Sequence, residues 1–192
     1  WLHEIKFDGY RLQARIEKGE VVLLTRSGLD WTEKFGEDIR KSLAALPVET
    51  AIIDGELVVE KESGISDFSA LQADLSEGRQ DRFRYYLFDL LYLDGRDLQD
   101  AALLDRKALL EKLLPSDDPV LRYSAHFQED GERVLHHACT LGLEGVISKV
   151  ADSPYVSGRK GHWIKSKCSS GQEFVIGGYT LSSSSDQAIG SL

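Results

Sequence analysis

The runs Tyr10 to Ile16 and Val21 to Thr25 are both rich in β-forming residues, and only the four residues Glu17-Lys18-Gly19-Glu20 separate them. So short a connection can reverse the chain, whereas a parallel neighbour needs a crossover of roughly a dozen residues. The pair predicts a hairpin near the start of the chain and biases the fold toward antiparallel sheet. Further strands are expected at Glu4 to Phe7, Ala51 to Val59, Arg84 to Leu93 (ended by the turn signal Asp94-Gly95), Val120 to Ala125, Gly145 to Val150, Trp163 to Cys168 and Glu173 to Tyr179. Helical spacing of apolar residues predicts helices over Trp31 to Leu46, Ser66 to Leu75 with Ser66 or Asp67 as cap, Leu104 to Leu114, and Glu129 to Leu141. In Leu104 to Leu114 the expected apolar stripe is Leu109, Leu110, Leu113 and Leu114. The serine run Ser182 to Ser185 reads as a flexible loop or linker. Mixed helices and strands joined by hairpins point to an α+β class, with mainly antiparallel sheets flanked by helices. Neither a GxGxxG nor a GxxxxGK[ST] loop occurs, so the two commonest nucleotide-binding folds lack support.

No window holds the roughly 18 uncharged apolar residues that a membrane span needs. The opening Trp1-Leu2-His3-Glu4 has neither the basic region nor the apolar stretch of a signal peptide, and it lacks an initiating Met. The sequence is therefore expected to begin inside a longer protein. Cys139 and Cys168 show no metal-ligand spacing, and reduced, inert thiols in a cytoplasmic protein are the simpler expectation. The five histidines, His3, His126, His136, His137 and His162, likewise read as surface or packing residues. The net charge of −9 speaks against nucleic-acid binding on average. Acid is concentrated at Glu33 to Asp38, Asp54 to Glu62 and Asp117-Asp118, however, while Gly158 to Lys167 is strongly basic. Segregated charge makes the average a poor guide to any one face. Within that segment, Arg159 and Lys160 fit a phosphate contact and a solvated loop equally well.

Four clusters could carry chemistry. In Glu4-Ile5-Lys6-Phe7-Asp8-Gly9-Tyr10-Arg11, a strand ending at Asp8 would bring Glu4, Lys6 and Asp8 to one face, and Gly9 would allow a turn returning Arg11. An exposed strand edge with alternating charge has the same pattern. Asp54-Gly55-Glu56 sets two carboxylates inside an apolar run, where they need a cation, a metal or donors. The same residues could instead form a bulge or a turn. Glu144 opens the strand Gly145-Val146-Ile147-Ser148-Lys149, and could also be a solvated turn residue. Trp163, Lys165 and Lys167 share one strand face, where two lysines suit an anion such as phosphate or a charged edge.

In this order, the clusters resemble the covalent nucleotidyltransferases: DNA ligases, RNA ligases and mRNA capping enzymes. Lys6 to Arg11 matches their KxDGxR motif. Thr25-Arg26-Ser27-Gly28-Leu29-Asp30 looks like the ligase segment that supplies a further arginine. Asp54-Gly55-Glu56, the strand around Phe88, Glu144-Gly145-Val146-Ile147 and Trp163 to Lys167 match the later motifs. The resemblance runs from residue 3 to about 180 and is nearest to bacterial end-joining ligases of the ligase D type, especially in Ser153-Pro154-Tyr155 through Gly171 to Tyr179.

The resemblance implies the covalent nucleotidyltransferase fold and a lysine that attacks the α-phosphate of ATP, leaving covalent lysyl-AMP. A free lysine is protonated at neutral pH, so the amine has to shed its proton, which neighbouring cations favour. The implied catalytic residues are Lys6, Asp8, Arg11, Lys165 and Lys167. Glu4 with the backbone of Ile5 would read the adenine edge, Phe88 and Val146 would sandwich the base, Arg11 and Glu56 would hold the ribose, and Arg26 would make a further polar contact. Asp8 and Glu144 would hold Mg²⁺ or Mn²⁺. The implied partners are nicked or broken duplex DNA, a fused OB-fold domain and other repair domains, in the bacterial cytoplasm at the nucleoid. Residues 1–170 would be the adenylation domain, and residues 171–192 a linker and the first strand of an OB-fold domain. A catalytically silent nucleotide- or DNA-end-binding module is the alternative of a different class. An RNA ligase or a GTP-using capping enzyme is the alternative within the enzyme class.

Overall fold

The computed structural model describes residues 1–158, 161–168, 180–182 and 185–191. The early hairpin is present: β2 (Tyr10–Glu17) and β3 (Glu20–Thr25) pair antiparallel. Lys18 and Gly19 have positive φ (50° and 84°), as a two-residue primed turn demands. β4 (Thr50–Val59) lies along the other side of β2, and β5 (Phe83–Leu93) along β4. The Asp94-Gly95 turn leads into β6 (Arg96–Asp97), and β7 (Leu121–Tyr123) runs parallel to β5, completing a six-stranded sheet. β4 continues through Asp54-Gly55-Glu56, resolving the open choice there in favour of a strand with bulged pairing to β5. One face of this sheet is the main core, built from Leu12, Ala14, Ile16, Ile53, Leu57, Tyr85 and Leu87 with the helices over them.

Helix α1 (Glu37–Ala44) is shorter than the apolar spacing suggested, because Gly36 at φ 103° starts it and a left-handed residue cannot sit inside a helix. Trp31 and Phe35 pack instead with Tyr10 as an aromatic group. Helix α2 (Phe68–Glu77) begins at Asp67, whose carboxylate accepts from the Ala70 N–H. Helix α3 (Leu103–Leu113) keeps most of the expected leucine stripe, with Leu113 and Leu114 packed against the core beside buried Leu110, but turns its buried face away from Leu109. It buries Leu103, Arg106, Lys107 and Leu110, while Leu109 is exposed. The buried face follows helical spacing, but two of its members are cations satisfied from outside the helix. Arg106 donates twice to Asp89 of β5, at 2.7 and 3.0 Å. Lys107 donates to the Ser124 carbonyl at 2.8 Å.

A second, four-stranded sheet has the order β10 (Trp163–Lys167), β9 (Gly145–Lys149), β1 (Leu2–Ile5), β8 (His126–Phe127). Helix α4 (Gly131–Thr140), capped by Asp130, packs on its back through Val134 and Ala138 against Val146. Strand β1 ends at Ile5, earlier than expected, because residues 6–9 leave this sheet and cross to β2 of the other. Gly9 is required in that crossing: a Cβ there would stand 2.1 Å from the Leu57 carbonyl oxygen. The two cysteines are joined. Cys139 in the last turn of α4 and Cys168 just beyond β10 form a disulfide with their Cα atoms 5.3 Å apart, correcting the expectation of free thiols. Their 29-residue separation hides a contact that only the packing of α4 on the sheet creates.

Strands β11 (Thr180–Ser182) and β12 (Ser185–Ser191) form a two-stranded antiparallel sheet in which Ser182 pairs with Ser185, while Ser183 and Ser184 of the expected loop or linker lie outside the described residues. The expected strand at 173–179 lies outside the described residues. Among the described residues no helix is long and apolar enough to cross a membrane.

Asp89 and Arg106 are almost fully buried. Truncating Asp89 to Ala leaves the guanidinium buried without its partner and should cost about 3–5 kcal/mol in urea unfolding. Replacing the pair together, Asp89→Leu with Arg106→Met, should cost less than Asp89→Ala alone.

Candidate active site between the sheets

The cleft is lined by the two sheet faces opposite their helices. In the four-stranded sheet, cross-strand partners share a face. Glu4, Ile147 and Lys165 are aligned across β1, β9 and β10, as are Leu2, Lys149 and Trp163. These residues face the cleft. Ile5, Val146 and Ser166 are aligned on the other side, with Val146 packed under α4. Val146 therefore cannot sandwich a base, and Ile147 is the cleft-facing residue of that strand. On the six-stranded sheet, Arg11, Glu56 and Tyr86 are aligned across β2, β4 and β5. Phe88 is skipped in the pairing between Asp54–Asp89 and Gly55–Leu87, so it is the extra residue of a bulge, and it lies outside the main core.

Lys6 follows β1 at the start of the crossing. Its N–H donates to the Gly145 carbonyl, and its ammonium is ion-paired with Glu144. Glu144 also pairs with Lys167, at 3.3 Å. Lys6 is nearly buried while Lys167 is mostly exposed. Asp8 lies on the exposed part of the crossing, its backbone N–H donating to Ser66 Oγ. Arg11 is clamped by Asp54, with Nη2 at 2.6 Å from Oδ2 and Nε at 3.4 Å from Oδ1, and the Tyr155 hydroxyl lies near both. The same guanidinium lies over Phe88 and Trp163, at 5.4 and 5.3 Å from the ring centroids.

The Glu4 side chain does not point at an open pocket. It is 2% exposed, with Oε2 accepting from Lys149 Nζ at 2.7 Å and Oε1 at 2.8 Å from Lys107 Nζ. The second contact falls outside hydrogen-bond alignment. Lys149 Nζ also lies between Phe88 and Trp163, at 4.4 and 4.1 Å from the centroids. Next to this group opens a cavity of about 640 Å³, lined in part by Arg11, Arg15, Arg26, Lys165, Trp163 and Tyr155. Its lining holds four cations and one carboxylate, that of Asp54, in a chain whose net charge is −9.

Burial pushes the Glu56 carboxyl up to about 7, against the pull of Arg11, Lys165 and Lys6. Burial and the Lys6 charge lower the Lys165 ammonium. For Arg11, burial works against charge, but Asp54 outweighs it and the guanidinium is raised. Among the described residues no three His, Cys, Asp or Glu side chains could by themselves hold a metal ion.

The structure thus gathers Lys6, Arg11, Glu56, Phe88, Glu144, Lys165 and Lys167 around one cleft, with Arg26 on its cavity wall. It turns Ile5 and Val146 to the α4 side and engages Glu4 beneath. It also gives places to Asp54, Ile147, Lys149 and Trp163, which the sequence clusters contained without a role, and to Tyr155, which entered only through the resemblance. Strand parity could have selected Ile147 over Val146, since Ile147 shares its face with Lys149. Tyr155 sits in a loop, where neither periodicity nor charge marks it, and only the resemblance pointed to its segment.

Residues 1–167 match the family described as the ATP dependent DNA ligase domain, and the chain belongs to that family. It is 51% identical, over its whole length, to the multifunctional non-homologous end joining protein LigD of Pseudomonas aeruginosa. It is 39% identical over 93% of its length to the LigD of Mycobacterium tuberculosis. The chain spans 23% of the length of each of these relatives. Its fold is similar to a mycobacterial DNA ligase D complexed with ATP and MES, with TM-score 0.73 and 36% identity over 87% of this chain and 54% of that one. The bacteriophage T7 ATP-dependent DNA ligase shares the fold at 17% identity, with TM-score 0.65 over 86% of this chain and 61% of that one.

Because Glu56 has a raised folded pKa, the fold favours its protonated form. Its contribution to stability is fully present below the ordinary carboxylate value of 4.5 and is lost as pH rises toward about 7. Unfolding free energies of the wild type and Glu56→Gln, measured from pH 4 to 8, should diverge across that window, with the wild type falling relative to the variant.

Proposed function

We propose that this chain is the adenylation module of an ATP-dependent DNA ligase acting in bacterial end joining. The observation that carries the reading is Lys6, nearly buried at the cleft edge and in contact with Glu144, with Lys165 and Glu56 near enough to influence each other's charge. A nucleophilic amine placed among cations and a carboxylate is suited to phosphoryl chemistry on a polyanionic substrate.

In this reading ATP binds with its base against Phe88 on one side and Ile147 on the other. Ile5 offers only its backbone, and Glu4 holds Lys149 under the base. Arg11, fixed by Asp54, and Glu56 meet the ribose. The Lys6 ammonium gives one proton to water, which the neighbouring cations favour, its amine attacks the α-phosphorus, and the nitrogen's second excess proton leaves to water as the phosphoramidate forms. The N–P bond forms as the bond to pyrophosphate breaks, and Lys165, Lys167 and Arg26 offset the charge that builds on the phosphates. In the second step an oxygen of the DNA 5′-phosphate attacks the same phosphorus, the N–P bond breaks and Lys6 regains a proton. The 3′-hydroxyl then attacks the 5′-phosphorus, closing the phosphodiester and releasing AMP.

Asp8 and Glu144 are hard oxygen donors of the number that suits Mg²⁺ or Mn²⁺ when substrate phosphates complete the shell. They would hold the ion beside Lys6, where it would neutralise phosphate charge. Nicked or broken duplex DNA is the partner in this reading, met in the bacterial cytoplasm at the nucleoid. Residues 171–192 would lead into an OB-fold domain that closes over the nucleotide, beside other repair domains.

Intact mass of the purified protein tests the reading. The wild type incubated with ATP and Mg²⁺ should gain one AMP, pyrophosphate should remove it, and Lys6→Ala should never gain it. GTP in place of ATP should leave the mass unchanged. A wild type that gains no AMP at full natural length would overturn the reading. The face assignment is checked separately. Ile147→Ala should weaken binding of a non-hydrolysable ATP analogue about tenfold, in line with the roughly 1–2 kcal/mol lost when the apolar contact of an aliphatic side chain is removed. Val146→Ala should instead lower stability, by about 1–2 kcal/mol in urea unfolding, and leave that affinity unchanged.

A further inference from the structure

Phe7 stands between the nucleophile and Asp8, and no step of the proposed chemistry uses it. Its ring stacks on Tyr86 of the six-stranded sheet, with centroids 4.0 Å apart and planes inclined by 26°. Tyr86 is the ladder partner of Glu56, and its hydroxyl donates to Glu60. Glu60 forms a bridge with Ser66, and Ser66 Oγ accepts from the Asp8 N–H at 3.0 Å. The contacts therefore close a ring from Phe7 through Tyr86, Glu60 and Ser66 back to Asp8, with Gly9 pressed against Leu57 beside it. On the other side, the Lys6 N–H is tied to the Gly145 carbonyl of the four-stranded sheet.

Lys6 is thus held from both sheets at once. Phe7 and Tyr86 are only half-buried, and neither belongs to the two apolar cores. Packing of a core does not explain the stack. Its place does: it fixes the crossing strand against the residue opposite Glu56, and so fixes the reach of Lys6 across the cleft.

We propose that Phe7 and Tyr86 form a positioning pair that sets the distance from Lys6 Nζ to the α-phosphate. The inference rests on Lys6 being the nucleophile. Neither ring touches the reacting atoms. The pair acts through the backbone of residues 6–9, and its effect falls on the rate of lysine adenylation rather than on nucleotide affinity.

Two quantities test this in the purified protein at full natural length: the single-turnover rate of lysyl-AMP formation, and the dissociation constant of an ATP analogue with a methylene bridge between the α- and β-phosphates. Phe7→Ala and Tyr86→Ala should each slow adenylation by about tenfold to a hundredfold, the loss that a misplacement of roughly 1 Å produces. Analogue affinity should stay within about twofold. Phe7→Tyr keeps the stack and every link of the ring, and should keep the rate within about threefold of wild type. The double alanine variant should be scarcely slower than either single one, because the two residues act as one unit. Should the alanine variants fail to fold, Phe7→Leu keeps the bulk without the stack and should show the same split. Unchanged rates in the alanine or Leu variants, a matching loss of analogue affinity, or fully additive losses would overturn the positioning pair. A wild type that forms no adduct would instead remove the nucleophile reading beneath it.

Discussion

Glu4 carries its carboxylate to a place that water does not reach, between Lys107 of α3 and Lys149 of β9. Three charges in so small a space can only stay together. Burial, with the charge of Lys149, lowers the Lys107 ammonium, and the attraction of Glu4 opposes that. Removing any one member leaves the others desolvated without full compensation. The cluster therefore ties β1 and β9 of the four-stranded sheet to α3, which packs on β5 of the six-stranded sheet. Lys107 extends the tie to the Ser124 carbonyl. The separation of the two sheets at the floor of the cleft rests on this buried group. Arg106 and Asp89 repeat the device one residue away along the helix, linking α3 to β5 and to the Ser153 carbonyl.

On that foundation the cleft concentrates positive charge within an acidic chain. Arg11 shows how it is kept in place. Asp54 grips the guanidinium through two nitrogens, while Phe88 and Trp163 offer ring faces to it. Lys149 is treated in the same manner, with Glu4 at its ammonium and the same two rings beside it. Each cation has a carboxylate to fix its position and aromatic surface to exclude water, leaving it preorganised toward an anion that enters the cleft. Glu56 is the exception. It has no such grip, and burial leaves its proton easily retained near neutrality.

The legible parts of this structure were the local ones. The hairpin of β2 and β3, the cap at Asp67, the turn at Asp94-Gly95 and the shared face of Trp163, Lys165 and Lys167 all depend on neighbours within a few residues. What was misread depends on partners far along the chain. Leu109 looked like a core residue, because nothing local shows that the buried face holds Arg106, whose acid lies 17 residues away on another element. Val146 was read from its place in a motif, whereas the pairing register assigns it to α4. The disulfide needed the helix to be docked before its two halves could be seen as neighbours. Phe7 gave no sign at all, since a lone aromatic between two charged residues reveals nothing about which ring it will meet.

The register of β9 also sets which changes of length the chain tolerates. Val146 and Ile147 belong to opposite faces, one serving the α4 interface and the other the cleft. Deleting one residue within the strand would invert every position beyond it, sending Ser148 toward the cleft and Lys149 toward the helix. Packing and chemistry would fail together, and a substitution could not repair either one alone. The connection between β9 and β10 escapes that rule only beyond Tyr155, since the Ser153 carbonyl accepts from buried Arg106 and Tyr155 lies against Arg11 and Asp54. Descendants of this chain should therefore vary in length between residues 156 and 162 while the five residues of β9 keep their number.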